Sequence, residues 1–189
     1  MRAYLATGLV VLALAGGTAC SHKSSSQQAA QELAAGLAAH RAGDLLTAKA
    51  DYEKVIKDDP RNKYAYYNLG LIEQTNGNQS AAENDYRHTI AIDPNFTSAL
   101  FNLAIVRTAQ GDENEAASLY RRVIKLDPKN AGAHLNLGFA LKDTGDKKGA
   151  NREFAIAIRL DPSLAKRIPP PSPAPSTGPK PKTTPSPNL

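Results

Sequence analysis

Four prolines recur at one fixed interval, and this spacing constrains the fold more than any other feature of the chain. The prolines are Pro60, Pro94, Pro128 and Pro162, each 34 positions after the one before it. Tyrosine or phenylalanine stands eight residues before each one, alanine twelve before, glycine seventeen before, and glycine or alanine twenty-four before. Self-similarity at a period of this length is the signature of a repeat architecture. The sequence therefore predicts a stack of four similar units.

Each unit is predicted to form two helices. In the second unit, Tyr66 and Leu69 belong to a series with helical steps of three and four, which predicts a first helix. Gly77 is suited to the left-handed conformation that ends helices. A second helix is expected over about 80–91, before Pro94 stops it. Because one unit cannot bury its apolar face alone, at least three must stack. The predicted units are 29–62, 63–96, 97–130 and 131–164.

These marks resemble the tetratricopeptide repeat. The segments Asn68-Leu69-Gly70 and Asn136-Leu137-Gly138 match the first-helix signature of that family, and the glycine, alanine, tyrosine and Asp-Pro positions match as well. The resemblance implies an all-α fold, a right-handed superhelical solenoid of four antiparallel helix pairs whose concave side is lined by the first helices. The sequence departs from the family at the usual tryptophan, which is replaced by Glu32, Tyr66, Leu100 and His134.

Residues 1–19 have the pattern of an export signal peptide. Arg2 precedes an almost unbroken apolar and small-residue run over 3–19, which is shorter than the roughly 20 residues that a bilayer-spanning helix needs. The residues before Cys20, the only cysteine, resemble a bacterial lipoprotein signal, which implies lipidation of Cys20. Gly17 departs from that pattern, because leucine is usual there. Simple cleavage after Ala19 and an uncleaved anchor helix are the alternatives.

All three interpretations place the repeats outside the cytoplasm, at a cell membrane or in the outer envelope. Lipidated Cys20 would attach the chain to that membrane, because two or more acyl chains anchor firmly. Residues 20–28 are polar and small and predict a flexible tether. Residues 165–189 contain the other nine prolines together with Ser, Thr and Lys. This composition predicts a disordered, basic, Pro-rich tail, because it lacks the apolar side chains that folding requires.

The family binds extended peptides or helices in its concave groove, and the predicted first helices supply candidate contacts. Asn68, Asn102 and Asn136 recur with the period of the repeat, and an amide can donate to and accept from a peptide backbone at once. The apolar candidates on the same face are Tyr64, Tyr67, Leu71, Phe101, Ile105, Leu135 and Phe139. The alternative is that these side chains only pack between adjacent helices. A clamp for a terminal carboxylate is not expected, because the equivalent positions hold Leu33, Leu37, Ser98 and Asn102.

The sequence contains no recognisable enzyme signature, which predicts a non-enzymatic protein. The four histidines lie in different contexts without a second histidine or a cysteine at ligand spacing, so neither a metal nor another cofactor is expected. The net charge is +5. Because the basic residues are spread over outer helix faces and the tail without one basic stripe, nucleic acid is not an expected partner.

The last predicted helix, about 147–160, is followed by too few residues for a full capping helix. Ala155 and Ile156 are therefore expected to stay partly uncovered, either as an assembly face or as a frayed end. Together these features predict a cell-envelope repeat lipoprotein that acts as an adaptor or scaffold for a protein or peptide partner. The alternative is a structural subunit of an envelope machine, of the pilus or outer-membrane assembly type, that associates with itself or a partner through its last repeat.

Overall fold

The computed structural model describes residues 25–168. The predicted signal peptide, Cys20 and the tail beyond residue 168 lie outside the described residues. Helix α1 begins at Ser25, so the last four residues of the predicted 20–28 tether are helical. Within the described part of the chain, no helix combines the length and the apolar character needed to cross a bilayer.

The described residues form eight α-helices in consecutive pairs and no β-strand, which confirms the predicted all-α fold of four helix pairs. The chain divides after Pro60 into two compact units. The first contains α1 and α2, and the second contains α3 to α8 and a closing 3₁₀ segment, Pro162–Arg167. The helices are α1 Ser25–Arg41, α2 Leu45–Asp58, α3 Lys63–Thr75, α4 Gln79–Ile92, α5 Thr97–Ala109, α6 Glu113–Leu126, α7 Ala131–Asp143 and α8 Lys147–Leu160.

In the second unit, the first helices α5 and α7 each pack against the helices before and after them. Helix α5 contacts α4 and α6, and α7 contacts α6 and α8. The first helices α3, α5 and α7 and the second helices α4, α6 and α8 therefore form two layers, as stacking of amphipathic helix pairs requires. One helix pair supplies the buried face that the next pair needs.

The turn inside each pair depends on a glycine. Gly43, Gly77, Gly111 and Gly145 have φ between 80° and 92°, the left-handed region that only glycine adopts without strain. An aspartate follows three of them and caps the next helix. Asp112, for example, accepts a hydrogen bond from the backbone N–H of Glu115 at 3.1 Å. The recurring glycines are therefore explained by chain reversal.

The turn between pairs depends on the Asp-Pro dipeptide. Proline cannot continue the preceding helix, and the aspartate carboxylate accepts a hydrogen bond two residues on. Asp93 Oδ1 accepts from Asn95 N at 3.0 Å, and Asp127 Oδ1 accepts from Lys129 N at 3.1 Å. The regular aspartates thus complete turns and have no need of a catalytic role.

In three of the four described pairs, an aromatic ring of the second helix rests directly on a glycine of the first. A Cβ atom added to Gly70 would lie 2.6 Å from Cε1 of Tyr86, and one added to Gly138 would lie 2.5 Å from the ring of Phe154. Tyr86 is fully buried and Phe154 is 5% exposed. The absence of a side chain at the glycine lets the two helices approach and the ring fill the crossing.

The C-terminal end of the stack carries the beginning of a further repeat. Leu164 and Ile168 occupy the positions that Asn130 and His134 hold one period earlier, and both pack against the hydrophobic core. No full capping helix follows α8 in the described residues, because the chain forms only the six-residue 3₁₀ segment. Ala155 is exposed and Ile156 half-buried, as predicted.

Replacement of Gly70 by leucine should destabilise the protein, because the added side chain must displace the buried ring of Tyr86. Overpacking of this kind costs about 1–3 kcal/mol, and the leucine is larger than the single methyl that Ala104 places at the equivalent position of the next repeat. The measurement is chemical denaturation followed by circular dichroism. Gly132→Ala is the control, since its Cβ would meet atoms no closer than 3.4 Å. Equal stability of the Gly70→Leu and wild-type proteins would contradict this account of the crossing.

Candidate functional site

The first helices of the second unit present a row of partly exposed apolar side chains. Tyr64 is 50% exposed, the largest exposure among these candidates. The half-buried members of the row are Tyr67, Leu71, Phe101, Ile105 and Phe139. They lie on α3, α5 and α7, the three first helices of this unit. The structure therefore brings six of the seven predicted apolar candidates to the surface of one helix layer.

Leu135 is the exception, and its assignment to the groove is wrong. Its side chain is 0% exposed and belongs to the hydrophobic core. Tyr67 and Phe101 occupy the equivalent positions of the two preceding repeats, and both remain half-exposed. The shorter leucine side chain stays within the core where the aromatic rings extend to the surface. Leu135 therefore stabilises the last repeat and does not line a binding surface.

The aromatic candidates also pack against one another and against the core. The ring of Tyr67 lies 5.0 Å from that of Phe96, and Phe101 meets Tyr120 edge-to-face at 5.7 Å. Phe139 meets Phe154 edge-to-face at 5.0 Å. Aromatic pairs in this range attract each other and hold their rings in place. The predicted groove residues thus have a packing role, and only their outward edges remain available to a ligand.

A cation lies beside the exposed aromatic at one end of this row. Lys63 Nζ is 5.3 Å from the ring centre of Tyr64 and 5.6 Å from that of Phe96. The same ammonium donates a hydrogen bond to Asp93 Oδ2 at 2.7 Å. This hydrogen bond is the main reason that the pKa of Asp93 lies below its ordinary value. The lysine is therefore fixed by Asp93 and holds the two rings between repeats.

The three asparagines do not form a uniform ladder of free amides. Asn68 donates to the backbone oxygen of Tyr64 in its own helix at 2.7 Å. Asn102 donates to the hydroxyl of Tyr67 at 3.4 Å, and its amide also acts to lower the pKa of Tyr86. The amide of Asn136 acts on the pKa of Tyr120 in the same direction. The second and third asparagines therefore interact with a tyrosine of the preceding repeat, a role that was not predicted.

A signal for this link was present in the sequence. Tyr86 and Asn102 are 16 positions apart, and Tyr120 and Asn136 are separated by the same interval. Burial raises the pKa of both tyrosines, while the asparagine hydrogen bonds act in the opposite direction. The hydroxyls are therefore neutral at physiological pH. That of Tyr86 donates to Gln74 Oε1 at 2.7 Å.

An ion-pair network connects the second and third repeats on the other helix layer. Arg87 lies 2.9 Å from Glu83 and 2.7 Å from Glu115, while Arg107 contacts Glu83 at 3.2 Å and also pairs with Asp112. Burial raises the pKa of the Glu83 carboxyl, but hydrogen bonds from Gln110 and Arg87 outweigh this effect and hold that pKa below its ordinary value. These carboxylates are occupied by structural pairing, which disfavours an acid–base role.

His134 is buried and takes the place of the family tryptophan in the last repeat. Its Nδ1 lies 2.7 Å from Glu153 Oε2, and its Nε2 lies 3.2 Å from the backbone oxygen of Pro128. Both ring nitrogens therefore have protein partners. Across the described residues, no group of three or more His, Cys, Asp and Glu side chains could hold a metal ion. The histidine joins α7 to α8 as a structural residue.

Two features of the second-helix layer were not anticipated. A cleft of about 360 Å³ lies between α4 and α6, with Leu103 and Leu119 in its lining beside Arg87 and Arg122. The exposed residues of α6 and α8 include seven Lys and Arg but no Asp or Glu. These cations lie on outer helix faces, as expected, but their concentration on α6 and α8 was not anticipated. The basic side chains lie on one side of the unit because the second helices of successive repeats form that side.

Two family models match the chain in the regions that form these helix pairs. A TPR repeat model matches residues 106–145, and a tetratricopeptide repeat model matches residues 33–95. The search of curated proteins found no match to the sequence. Many solved structures have a similar fold.

Three of these structures illustrate the range of structural similarity and of coverage. A crystal structure of MamA has a TM-score of 0.67 and 23% identity over 73% of this chain and 81% of that one. A second MamA crystal structure has a TM-score of 0.52 and 21% identity over 78% of this chain and 100% of that one. A mutant of the Thermobaculum terrenum O-GlcNAc transferase has a TM-score of 0.62 and 26% identity over 71% of this chain but 26% of the transferase. The two MamA structures support the fold alone.

The asparagines should differ in their contribution to stability. Asn102→Ala and Asn136→Ala each remove an amide that interacts with a buried tyrosine hydroxyl and should lower the free energy of unfolding by about 0.5–1.5 kcal/mol. Asn68→Ala removes only a bond to the backbone of its own helix and should have a smaller effect. Denaturation of the three single variants measures the difference. Three equal losses would show that the tyrosine links do not stabilise the stack.

Proposed function

The chain is a tetratricopeptide repeat protein, and from this premise we propose that it is a non-enzymatic scaffold that binds a partner peptide or helix along α3, α5 and α7. The observation that carries the proposal is the row of half-exposed apolar residues on successive first helices. Tyr64, with half of its surface in solvent, and Leu71 and Ile105 supply apolar contact area. The partner is a segment long enough to cross more than one repeat.

The asparagines orient a bound chain more than they add to its binding energy. A net hydrogen bond is worth about 0.5–1.5 kcal/mol, so burial of apolar side chains must supply most of the binding energy. Asn102 directs its amide nitrogen to Tyr67, which leaves its carbonyl as the group to accept from a backbone N–H. Asn68 retains its carbonyl in the same way. We therefore expect a bound chain to present backbone N–H groups toward these two residues.

Site-specific photocrosslinking tests the groove without disturbing the fold. A photoreactive amino acid at Leu71 or at Ile105 should crosslink the same partner, because both positions lie on the first-helix layer. A probe at Asn84, which is exposed on α4 of the opposite layer, is the matched control. Tyr64→Ala should reduce the crosslinked product several-fold while the helix content is unchanged. Equal crosslinking from Asn84 and Leu71 would contradict a groove site.

We further propose that the scaffold is a lipoprotein of the cell envelope, attached through Cys20. Support comes from the sequence alone, from the apolar run over 3–19 and the single cysteine that ends it. Two or more acyl chains on this residue would provide stable anchoring, which a single chain does not. The repeats would then be held at a membrane surface, where a scaffold concentrates its partner.

Cys20→Ala should move the protein from the membrane fraction to the soluble fraction, since no thiol remains to be acylated. Fractionation of the native host followed by immunoblotting measures this, and metabolic labelling with a fatty acid shows whether the wild-type chain is acylated. Retention of the variant in the membrane without labelling of the wild type would instead identify 3–19 as an anchor helix.

The alternative function is that of a structural subunit that associates through its last repeat. The specific observation in its favour is the end of the described stack, where a short 3₁₀ segment stands in place of a further first helix. Light scattering of the concentrated protein distinguishes the two functions. A strict monomer counts against end-to-end assembly of identical copies, and a mass that rises with concentration favours it.

A further inference from the structure

The exposed surface of α6 and α8 is strongly cationic, and we propose that it is a docking surface for an anionic phospholipid bilayer. We call this surface the outer face. Its cations are Arg121, Arg122, Lys125, Lys147, Lys148, Arg152 and Arg159, all exposed. The other exposed residues of these helices are small or polar apart from Leu126, and none is acidic. The inference rests on the proposed membrane attachment of the chain.

The two helices contribute charges to the same side of the second unit. Helices α6 and α8 occupy equivalent places in successive repeats, and both pack against α7. Lys125 and Arg159 are equivalent residues, 34 positions apart. Arg152 stands where the preceding repeat has Ser118, whereas Arg121 stands where the following repeat has Ala155. The cations therefore alternate between the two helices and spread over one face.

These cations are not neutralised by the fold. Among the described residues, none of the seven forms an ion pair with a carboxylate, and Arg122 donates to the backbone oxygen of Pro94 at 2.9 Å. In contrast, Arg87 and Arg107 of the preceding repeats are held by Glu83, Asp112 and Glu115. The outer face thus retains its full positive charge for an external partner.

The charge is also uneven along the chain. Residues 121–168 contain 11 Lys and Arg against 5 Asp and Glu, a net charge of +6. Residues 25–120 contain 8 Lys and Arg against 13 Asp and Glu, a net charge of −5. The total of +5 for the whole chain conceals this division. A positive field localised on one region steers that region toward anionic surfaces.

Among anionic partners, a bilayer fits the outer face best. Two outer faces would repel each other, because none of their exposed residues is acidic. Elsewhere in a second copy, Glu83, Asp93, Asp112 and Glu115 already pair with lysine or arginine. Single-stranded nucleic acid is bound through aromatic stacking, and the exposed residues of α6 and α8 include no aromatic ring. A bilayer surface presents many phosphates in one plane, and long Lys and Arg side chains can reach them from two helices.

The predicted tether favours this contact. Helix α1 begins at Ser25, five residues after Cys20, and five extended residues span about 17 Å. A lipid on Cys20 would therefore hold the chain at the membrane, where a weak electrostatic contact becomes effectively intramolecular. The outer face belongs to the second-helix layer of its unit. Contact with the bilayer through that layer leaves α3, α5 and α7 free to bind a partner.

The test is a lysine footprint on the full-length chain. The protein is bound to vesicles of phosphatidylcholine alone or of phosphatidylcholine with phosphatidylglycerol, and surface amines are then acetylated and quantified by mass spectrometry. Lys125, Lys147 and Lys148 should be protected several-fold by the anionic vesicles only. Lys54 and Lys57 of α2 are the internal controls and should react equally on both. Protection should be lost in 1 M salt, because screening then acts within about 3 Å.

Two triple variants distinguish an effect of the outer face from an effect of the net charge of the protein. The triple variant Arg121→Gln, Lys125→Gln, Arg152→Gln should abolish the protection of Lys147 and Lys148 by anionic vesicles. The matched variant Lys49→Gln, Lys54→Gln, Lys57→Gln removes the same charge from α2 and should leave that protection intact. Equal footprints on both vesicle types, with the chain still sedimenting with them, overturn the inference while the anchoring through Cys20 stands.

Two further outcomes are decisive. Protection of the three lysines by anionic vesicles in the Cys20→Ala protein supports the outer face even if the proposed lipidation fails. Protection by duplex DNA at the same phosphate concentration, without protection by vesicles, overturns the bilayer in favour of nucleic acid.

Discussion

The close contact of an aromatic ring with a glycine backbone is the interaction on which the rest of the structure depends. Tyr86 on Gly70 and Phe154 on Gly138 set how near the two helices of a pair can come. That distance fixes the direction of the first helix and therefore the position of every side chain it presents. The Gly and Asp-Pro turns only reverse the direction of the chain, whereas the ring contact sets the distance between the helices that the turns connect.

The same tyrosines connect architecture and candidate site. The hydroxyl of Tyr86 interacts with Asn102 of the next first helix, and that of Tyr120 interacts with Asn136. A residue at the centre of the proposed groove is thus attached to the core of the preceding repeat. Displacement of Asn102 by a ligand would also disturb the helix crossing. We therefore expect the groove to be rigid before a partner binds. Rigid sites avoid much of the entropy that binding otherwise costs.

Much of the fold could be predicted from the sequence, because its determinants are local and periodic. Gly77 and Pro94 mark turns wherever they stand at this spacing, and the limits of α8 agree with those predicted. Leu135 could not be placed, because its burial depends on side-chain length and on the packing of its neighbours in the last repeat. The outer face was missed for a related reason. Its charges occupy different repeat positions in α6 and α8, as with Arg121 and Arg152, so no motif recurs and only the shared side of the unit unites them.

The short segment after α8 has a consequence for how such a chain can change length. Leu164 and Ile168 already occupy the positions that open a first helix, and they cover the core where a fifth pair would dock. The stack of helix pairs therefore stops at a point where the 34-residue period is still maintained. An insertion of one or more full repeats before this segment would keep every turn residue at its place in the period, and Leu164 and Ile168 would then cover the last inserted pair. An insertion of another length would shift turn residues into helices. The protein can thus acquire or lose binding surface in fixed increments, with the same final turn closing stacks of different length.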